Sequence, residues 1–139
     1  MNVAVTHRYH FAAAHVLCRD EWSPAENERV YGKCANPNGH GHNYGVEVTV
    51  SGSVDSRTGR VVDPEWLDDL VRRRVVDRLA FRLLNDDPAF AERVPTAENI
   101  VRFVEEELAP ELEADGERRL ARVRVLETRR NVFETGDLT

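Results

Sequence analysis

The strictest constraint in this chain is a short alternation. Val46, Val48 and Val50 alternate with Glu47, Thr49 and Ser51, the period-2 pattern of a strand buried on one face only. Such a strand predicts antiparallel neighbours beside it and an apolar layer over one side. Directly before it stands Tyr-Gly-Lys-Cys-Ala-Asn-Pro-Asn-Gly-His-Gly-His-Asn-Tyr, residues 31–44. His40 and His42 are two apart, so in an extended backbone both imidazoles project to the same face. Gly39 and Gly41 leave the backbone free to approach a ligand closely. Cys34 lies a short loop upstream, near enough to share a pocket. Taken alone, H-x-H in a Gly/Asn/Pro-rich stretch reads more simply as a turn that carries histidine.

An earlier segment changes that balance. Val3 to Ala14 is rich in Val, Thr, Tyr and Phe and reads as extended, with Tyr9, Phe11, Ala13 and His15 on one face. A lone histidine ending an apolar row is ordinarily a hydrogen-bonded core residue. Beside an H-x-H on another strand, His15 becomes a candidate third ligand, because catalytic zinc commonly takes three protein ligands and keeps one position open. Residues 19–29 are polar and read as a loop.

Downstream, Asp55 to Gly59 is a turn cluster, and Val61-Val62 reads as a short return strand. Asp63-Pro64 caps and starts a helix whose apolar stripe is Leu67, Leu70, Val71, Val75 and Leu79. Asn85 to Pro88 breaks the chain. Thr96 is the N-cap of a second helix with Ile100, Val104, Leu108 and Leu112 inward, which Pro110 should kink or end. Leu120 to Leu126 is a third long strand, with Ala121, Val123 and Val125 on one face and Glu127 continuing that parity. A carboxylate ending an apolar row is costly to bury without a donor-rich partner. Read on the residues alone, Glu127 is equally a strand-end surface group. Val132-Phe133 begins a last strand. The order ββααββ predicts an α+β fold, an antiparallel four-stranded sheet with two helices on one face.

The remaining bounds are simple. At 139 residues the chain is long enough for one domain, 1–139, with a real core. A formal net charge of −6 argues against nucleic acid or an anionic membrane as the main partner. No stretch approaches the roughly 18 consecutive apolar residues of a membrane span. Cys18 and Cys34 are the only cysteines, too few for a disulfide framework. The first residues lack the basic start and apolar run of a signal peptide, so a cytoplasmic protein is expected.

Five ordered motifs carry a resemblance. Phe11–His15 reads FAAAH, Tyr31–Tyr44 reads YGKCANPNGHGHNY, Thr58–Asp63 reads TGRVVD, Pro95–Asn99 reads PTAEN and Leu126–Thr128 reads LET. Together they resemble the 6-pyruvoyltetrahydropterin synthase family, which includes the 6-carboxytetrahydropterin synthases. The resemblance implies a tunnelling (T-) fold: trimers that close a twelve-stranded barrel stack in pairs into a homohexamer with interfacial active sites. It implies His15, His40 and His42 as zinc ligands, Cys34 as the catalytic thiol, Glu127 as the grip on a pterin's amino-pyrimidine edge, and Thr96 as a ring contact. The reaction it implies is zinc-assisted proton transfer along a dihydropterin side chain, with triphosphate elimination and tautomerisation.

One motif departs from the family. Where its members carry an Asp-His pair after the first helix, as in LDHRNLN, this chain reads Leu79-Ala80-Phe81-Arg82-Leu83-Leu84-Asn85. Neither Ala80 nor Phe81 can move a proton. Losing a positioned acid/base group typically costs about 10²–10⁴ in rate. Three functions follow as expectations: a pterin binder with altered chemistry, a working synthase with a substitute base, or a non-enzymatic pterin-binding hexamer. His7 shares the parity of His15 but lies about 26 Å away along an extended strand, and a phenyl ring beside Cys34 would disfavour a thiolate by desolvation.

Overall fold

The computed structural model describes residues 1–138. Four strands, β1 (Asn2–His15), β2 (His40–Ser53), β3 (Arg118–Leu126) and β4 (Val132–Gly136), form one antiparallel sheet in the order β1-β2-β3-β4. The helices α2 (Pro64–Val71) and α3 (Ala97–Leu112) cover one face. Tyr9, Phe11, Val46, Val48, Val50, Val123 and Val125 are buried beneath them, so the alternation along β2 became a sheet with one apolar face. The expected α+β architecture holds, and strand order follows chain order although both large helices intervene between β2 and β3.

Local chemistry accounts for the helix ends. Asp63 accepts from the Glu65 amide at 3.0 Å and Thr96 from the Asn99 amide at 3.2 Å, each satisfying a first-turn donor that the helix itself leaves unpaired. Beyond Val71 the chain continues as a π-helical turn, Arg72–Val76, before a last turn, Asp77–Leu79. Val71, Val75 and Leu79 are spaced by four, which drifts about 40° per step in a regular helix. The wider turn takes up that drift, and all three are fully buried.

Four expectations need correction. Residues 19–29 are not all loop: α1 (Pro24–Tyr31) starts there, with Ser23 accepting from the Glu26 amide at 3.1 Å and Pro24 in the first turn. Ser23-x-x-Glu26 is the sequence of a capping box, a signal outweighed by the segment's polarity. Val61-Val62 forms no strand; the backbone bends there, and Val62 packs into the core. Pro110 lies within the final turn of α3, which runs on to Leu112. Ala121 does not share the buried face, because a bulge shifts the register: Thr49 pairs with Arg122 but Val50 with Leu120. The extra residue turns Leu120 into the core in its place.

Candidate metal and ligand site

The site grows from the pairing of β1 with β2. Their register sets His15 opposite His40, Ala13 opposite His42 and Phe11 opposite Tyr44, so the row ended by His15 and the H-x-H meet at one end of the sheet. One ring nitrogen from each of His15, His40 and His42 falls within 4.8 Å of the others. His15 is 1 % exposed; His40 and His42 are half-buried. Burial pushes the His15 pKa down to about 4, and the two neighbouring imidazoles add to that shift against the Pro95 hydrogen bond. Burial also lowers the pKa of His40, with His42 contributing. Neutral imidazole is the ligating form.

The tautomer of His15 is set by its partner. Its Nδ1 lies 2.8 Å from the Pro95 carbonyl, which can only accept, so Nδ1 carries the proton and Nε2 presents a lone pair to the cluster. That Nε2 lies 2.8 Å from Nε2 of His40. Two bonds of about 2.05 Å at a tetrahedral angle separate their donors by about 3.4 Å, so a shared ion asks only a small opening of the pair. Nδ1 of His40 is buried without a hydrogen-bond partner among the described residues, a donor or ligand atom still to be answered. The three residues fit a divalent ion that prefers nitrogen donors and an open position.

Around this cluster the remaining residues take distinct places. Tyr44 is fully buried, its hydroxyl 3.3 Å from His15 Nδ1. Burial raises its pKa well above the usual phenol range, with Glu127 and Cys34 close enough to add to the shift. Tyr44 therefore stays a neutral phenol beside the His15 imidazole. Its position in the motif was legible; this contact was not. Glu127 follows the last β2–β3 pair, Gly45 with Leu126, and is half-buried. Burial raises its pKa, His42 opposes the shift and Glu98 reinforces it. Cys34 sits half-buried in a 3₁₀ turn, Gly32–Ala35, whose Cys34 carbonyl accepts from the Leu17 amide at 2.9 Å. Thr96 uses its hydroxyl as a helix cap, next to the Pro95 carbonyl that orients His15. That carbonyl is a positioning group no side-chain motif announces.

Ala80 and Phe81 lie at the outer edge of β1, where Phe81 lines an open cavity together with Gly41 and His42. The Phe81 amide donates to the Ala12 carbonyl at 2.6 Å and the Ala14 amide to the Arg82 carbonyl at 2.9 Å, so this segment straps the outer edge of β1. The Phe81 backbone is left-handed, φ 60°, a conformation that costs a bulky residue roughly 1–2 kcal/mol. Its ring is 89 % exposed. The expectation of a phenyl group desolvating Cys34 therefore fails within one chain, because a ring standing in solvent withdraws water from nothing. His7 stands apart from this segment and from the histidine cluster. It lies opposite Val48, eight residues from His15, with Nδ1 held 3.0 Å from Asp68.

Similarity to known proteins points the same way. Residues 4–137 match the family model for 6-pyruvoyl tetrahydropterin synthase. The 6-pyruvoyl tetrahydrobiopterin synthase of Homo sapiens is 38 % identical over 129 residues, covering 92 % of this chain and 87 % of that protein. The Dictyostelium discoideum synthase is 36 % identical over 131 residues, 94 % and 93 % of the two chains. The solved structure of Caenorhabditis elegans 6-pyruvoyl tetrahydropterin synthase superposes with a TM-score of 0.90 at 34 % identity, covering 99 % of this chain and 96 % of that one.

Proposed function

We propose, from the premise that the chain belongs to the 6-pyruvoyl tetrahydropterin synthase family, that it binds a pterin-like ligand and does not run the synthase reaction at the rate of its relatives. The observation that carries this reading is the segment 79–83. Ala80 and Phe81 hold the positions of an acid/base pair, and the Phe81 ring projects into solvent.

Binding and proton transfer separate in this arrangement. Glu127 is assigned the paired N–H groups of an amino-pyrimidine edge, where a half-buried carboxylate makes charge-assisted hydrogen bonds. Thr96, fixed at the start of α3, borders the ring. His15, His40 and His42 are assigned zinc, which supplies polarisation of the ligand's side-chain oxygens when bound. Cys34 then needs a partner to take its proton and later return one. The 79–85 segment supplies no imidazole for that role.

The same reading carries assembly into a homohexamer, a dimer of trimers, in the cytoplasm. Free strand edges at β1 and β4 support association; among the described residues no helix is long and apolar enough to cross a membrane.

The reading is tested by mixing the zinc-loaded protein with dihydroneopterin triphosphate and following both the pterin fluorescence and the released triphosphate. Saturable binding with the substrate recovered intact is expected. Absence of binding, or triphosphate release at the pace of an authentic synthase, would each contradict it.

A further inference from the structure

The segment Val16–Arg19 leaves the end of β1 without a strand beside it, and side chains supply what a neighbouring strand would. Asn85 Oδ1 accepts from the Val16 amide at 2.8 Å, and its Nδ2 donates to the Val16 carbonyl at 2.9 Å. At the far end the buried Asn27 of α1 does the same for Arg19: its Oδ1 accepts from the Arg19 amide at 2.8 Å and its Nδ2 donates to the Arg19 carbonyl at 3.1 Å. Each asparagine answers both backbone groups of one residue, a two-point pairing that needs a carboxamide's acceptor and donor together. Between the two clamps the Leu17 amide donates to the Cys34 carbonyl at 2.9 Å. That bond ties the 3₁₀ turn of the thiol to the end of β1.

Asn85 belongs to the strap on the outer edge of β1. The Ala12 carbonyl and the Ala14 amide already bond to Phe81 and Arg82, and Leu83 bridges Ala14 in parallel. Outward groups recur every second residue along a strand, so Val16 is next in the row after Ala12 and Ala14. By that point the strap backbone has turned away into a 3₁₀ turn, Leu84–Asp86. The Asn85 side chain reaches back and completes the row in its place. The same knot touches the approach to the histidines: a Cβ placed on Gly39 would lie 3.5 Å from Val16 Cγ2, 3.6 Å from the His15 carbonyl oxygen and 3.8 Å from Leu83 Cδ1. Val16 therefore stands between the strap, the thiol turn and the backbone entering His40.

We propose that Asn85 is a positioning residue for Cys34, fixing the turn that presents the thiol through Val16 and Leu17. The strap keeps this role although Ala80 and Phe81 bring no proton-transfer group. The proposal rests on the reading of Cys34 as the thiol of the ligand site, and on neither zinc nor pterin. Asn85 acts through the Val16 backbone rather than on the sulfur. Asn85→Leu removes both bonds at similar size. Asn85→Asp keeps an acceptor for the Val16 amide but sets a second acceptor against the Val16 carbonyl, which can only accept.

Alkylation of the thiol tests the relay without metal or ligand. In a Cys18→Ser background Cys34 is the only cysteine, and its rate with iodoacetamide can be followed by mass spectrometry, well below the urea midpoint of each variant. Cys34 is half-buried, so loosening its turn should speed the reaction. Asn85→Leu should raise the rate about tenfold, the factor that two lost hydrogen bonds are worth to an open turn, and Asn85→Asp should fall between it and the parent. Val123→Ala opens a cavity in the core far from this knot; it should lower the urea midpoint and leave the Cys34 rate unchanged. A rate for Asn85→Leu within about twofold of the parent, less than one hydrogen bond is worth, overturns the proposal. An equal rise in Val123→Ala overturns it as well, by assigning the effect to general loss of stability. Should Asn85→Leu fold too poorly to assay, Asn85→Asp decides by the same limit. Sepiapterin titration of the unaltered protein reads the ligand site separately: absence of binding overturns the functional reading and leaves the alkylation result standing.

Discussion

Replacing Glu127 by glutamine should weaken ligand binding without weakening the fold. The carboxylate is half-buried, and burial raises its pKa against the pull of His42. A raised carboxyl pKa means that the folded state holds its proton more tightly than the unfolded state. The ionised group therefore subtracts from stability as pH rises through the interval between the two values. Removing the charge should leave the urea midpoint at neutral pH unchanged or slightly higher. In the complex the sign reverses. A carboxylate offers acceptors to two N–H donors, whereas glutamine sets its own N–H group against one of them. Losing one charge-assisted hydrogen bond and stranding a desolvated donor costs about 2–4 kcal/mol, a factor of about 30 to 800 in Kd. Fluorescence titration with sepiapterin and neopterin, run beside a urea melt, reads both signs. Unchanged affinity for every pterin tested would remove Glu127 from the site. Lost affinity together with a lower urea midpoint would assign the effect to folding instead.

Four further outcomes follow from the same geometry. After growth and dialysis in zinc the protein should hold about one ion per chain, and His15→Ala should abolish most of it; less than about 0.2 ion per chain in the unaltered protein tells against a working site, given one ion per three ligands. With a chelator present, stability should fall as pH drops from about 6.5 toward about 4, because only the unfolded state protonates His15 there; about 2 kcal/mol should be lost between pH 6.5 and 5, and His15→Gln should flatten that slope in urea melts. Phe81→Asn relieves a left-handed phenylalanine and should raise the unfolding free energy of the separated chain by about 1 kcal/mol; a loss of that size would show the ring packing on something within its own chain. Ala80→Asp with Phe81→His should restore more turnover than either change alone, since such groups act as a unit; equal rates for the single and double variants would argue against a relay.

Much of the site was legible because it depends on period two. The row Tyr9, Phe11, Ala13, His15 and the spacing of His40 from His42 both follow from alternation along a strand, and β1–β2 pairing brought them together. What alternation cannot reveal is register. That His15 meets His40, and that the Pro95 carbonyl lies within 2.8 Å of its Nδ1, depends on contacts 25 and 80 residues apart in sequence. Leu120 and Ala121 exchange faces for a related reason: a bulge inserts one residue, and period-2 reading carries no warning of it. The helix at Pro24–Tyr31 is a different case. Its capping sequence was present, but with Asn27 its only buried residue it offers no apolar stripe to read. The departure from the family motif at Phe81 was legible and its place on a solvent-facing strap was not, because that placement depends on the Ala12 carbonyl and the Ala14 amide of β1.

The central claim is that ligand binding outlived proton transfer in this chain. It is tested most directly by the turnover rate of the zinc-loaded protein on dihydroneopterin triphosphate, beside an authentic family synthase at equal site concentration. Losing the acid/base pair predicts a rate lower by about 10²–10⁴. A rate within about tenfold of the synthase, well short of the loss expected from a missing acid/base group, would contradict the account and require a base that neither Ala80 nor Phe81 can be.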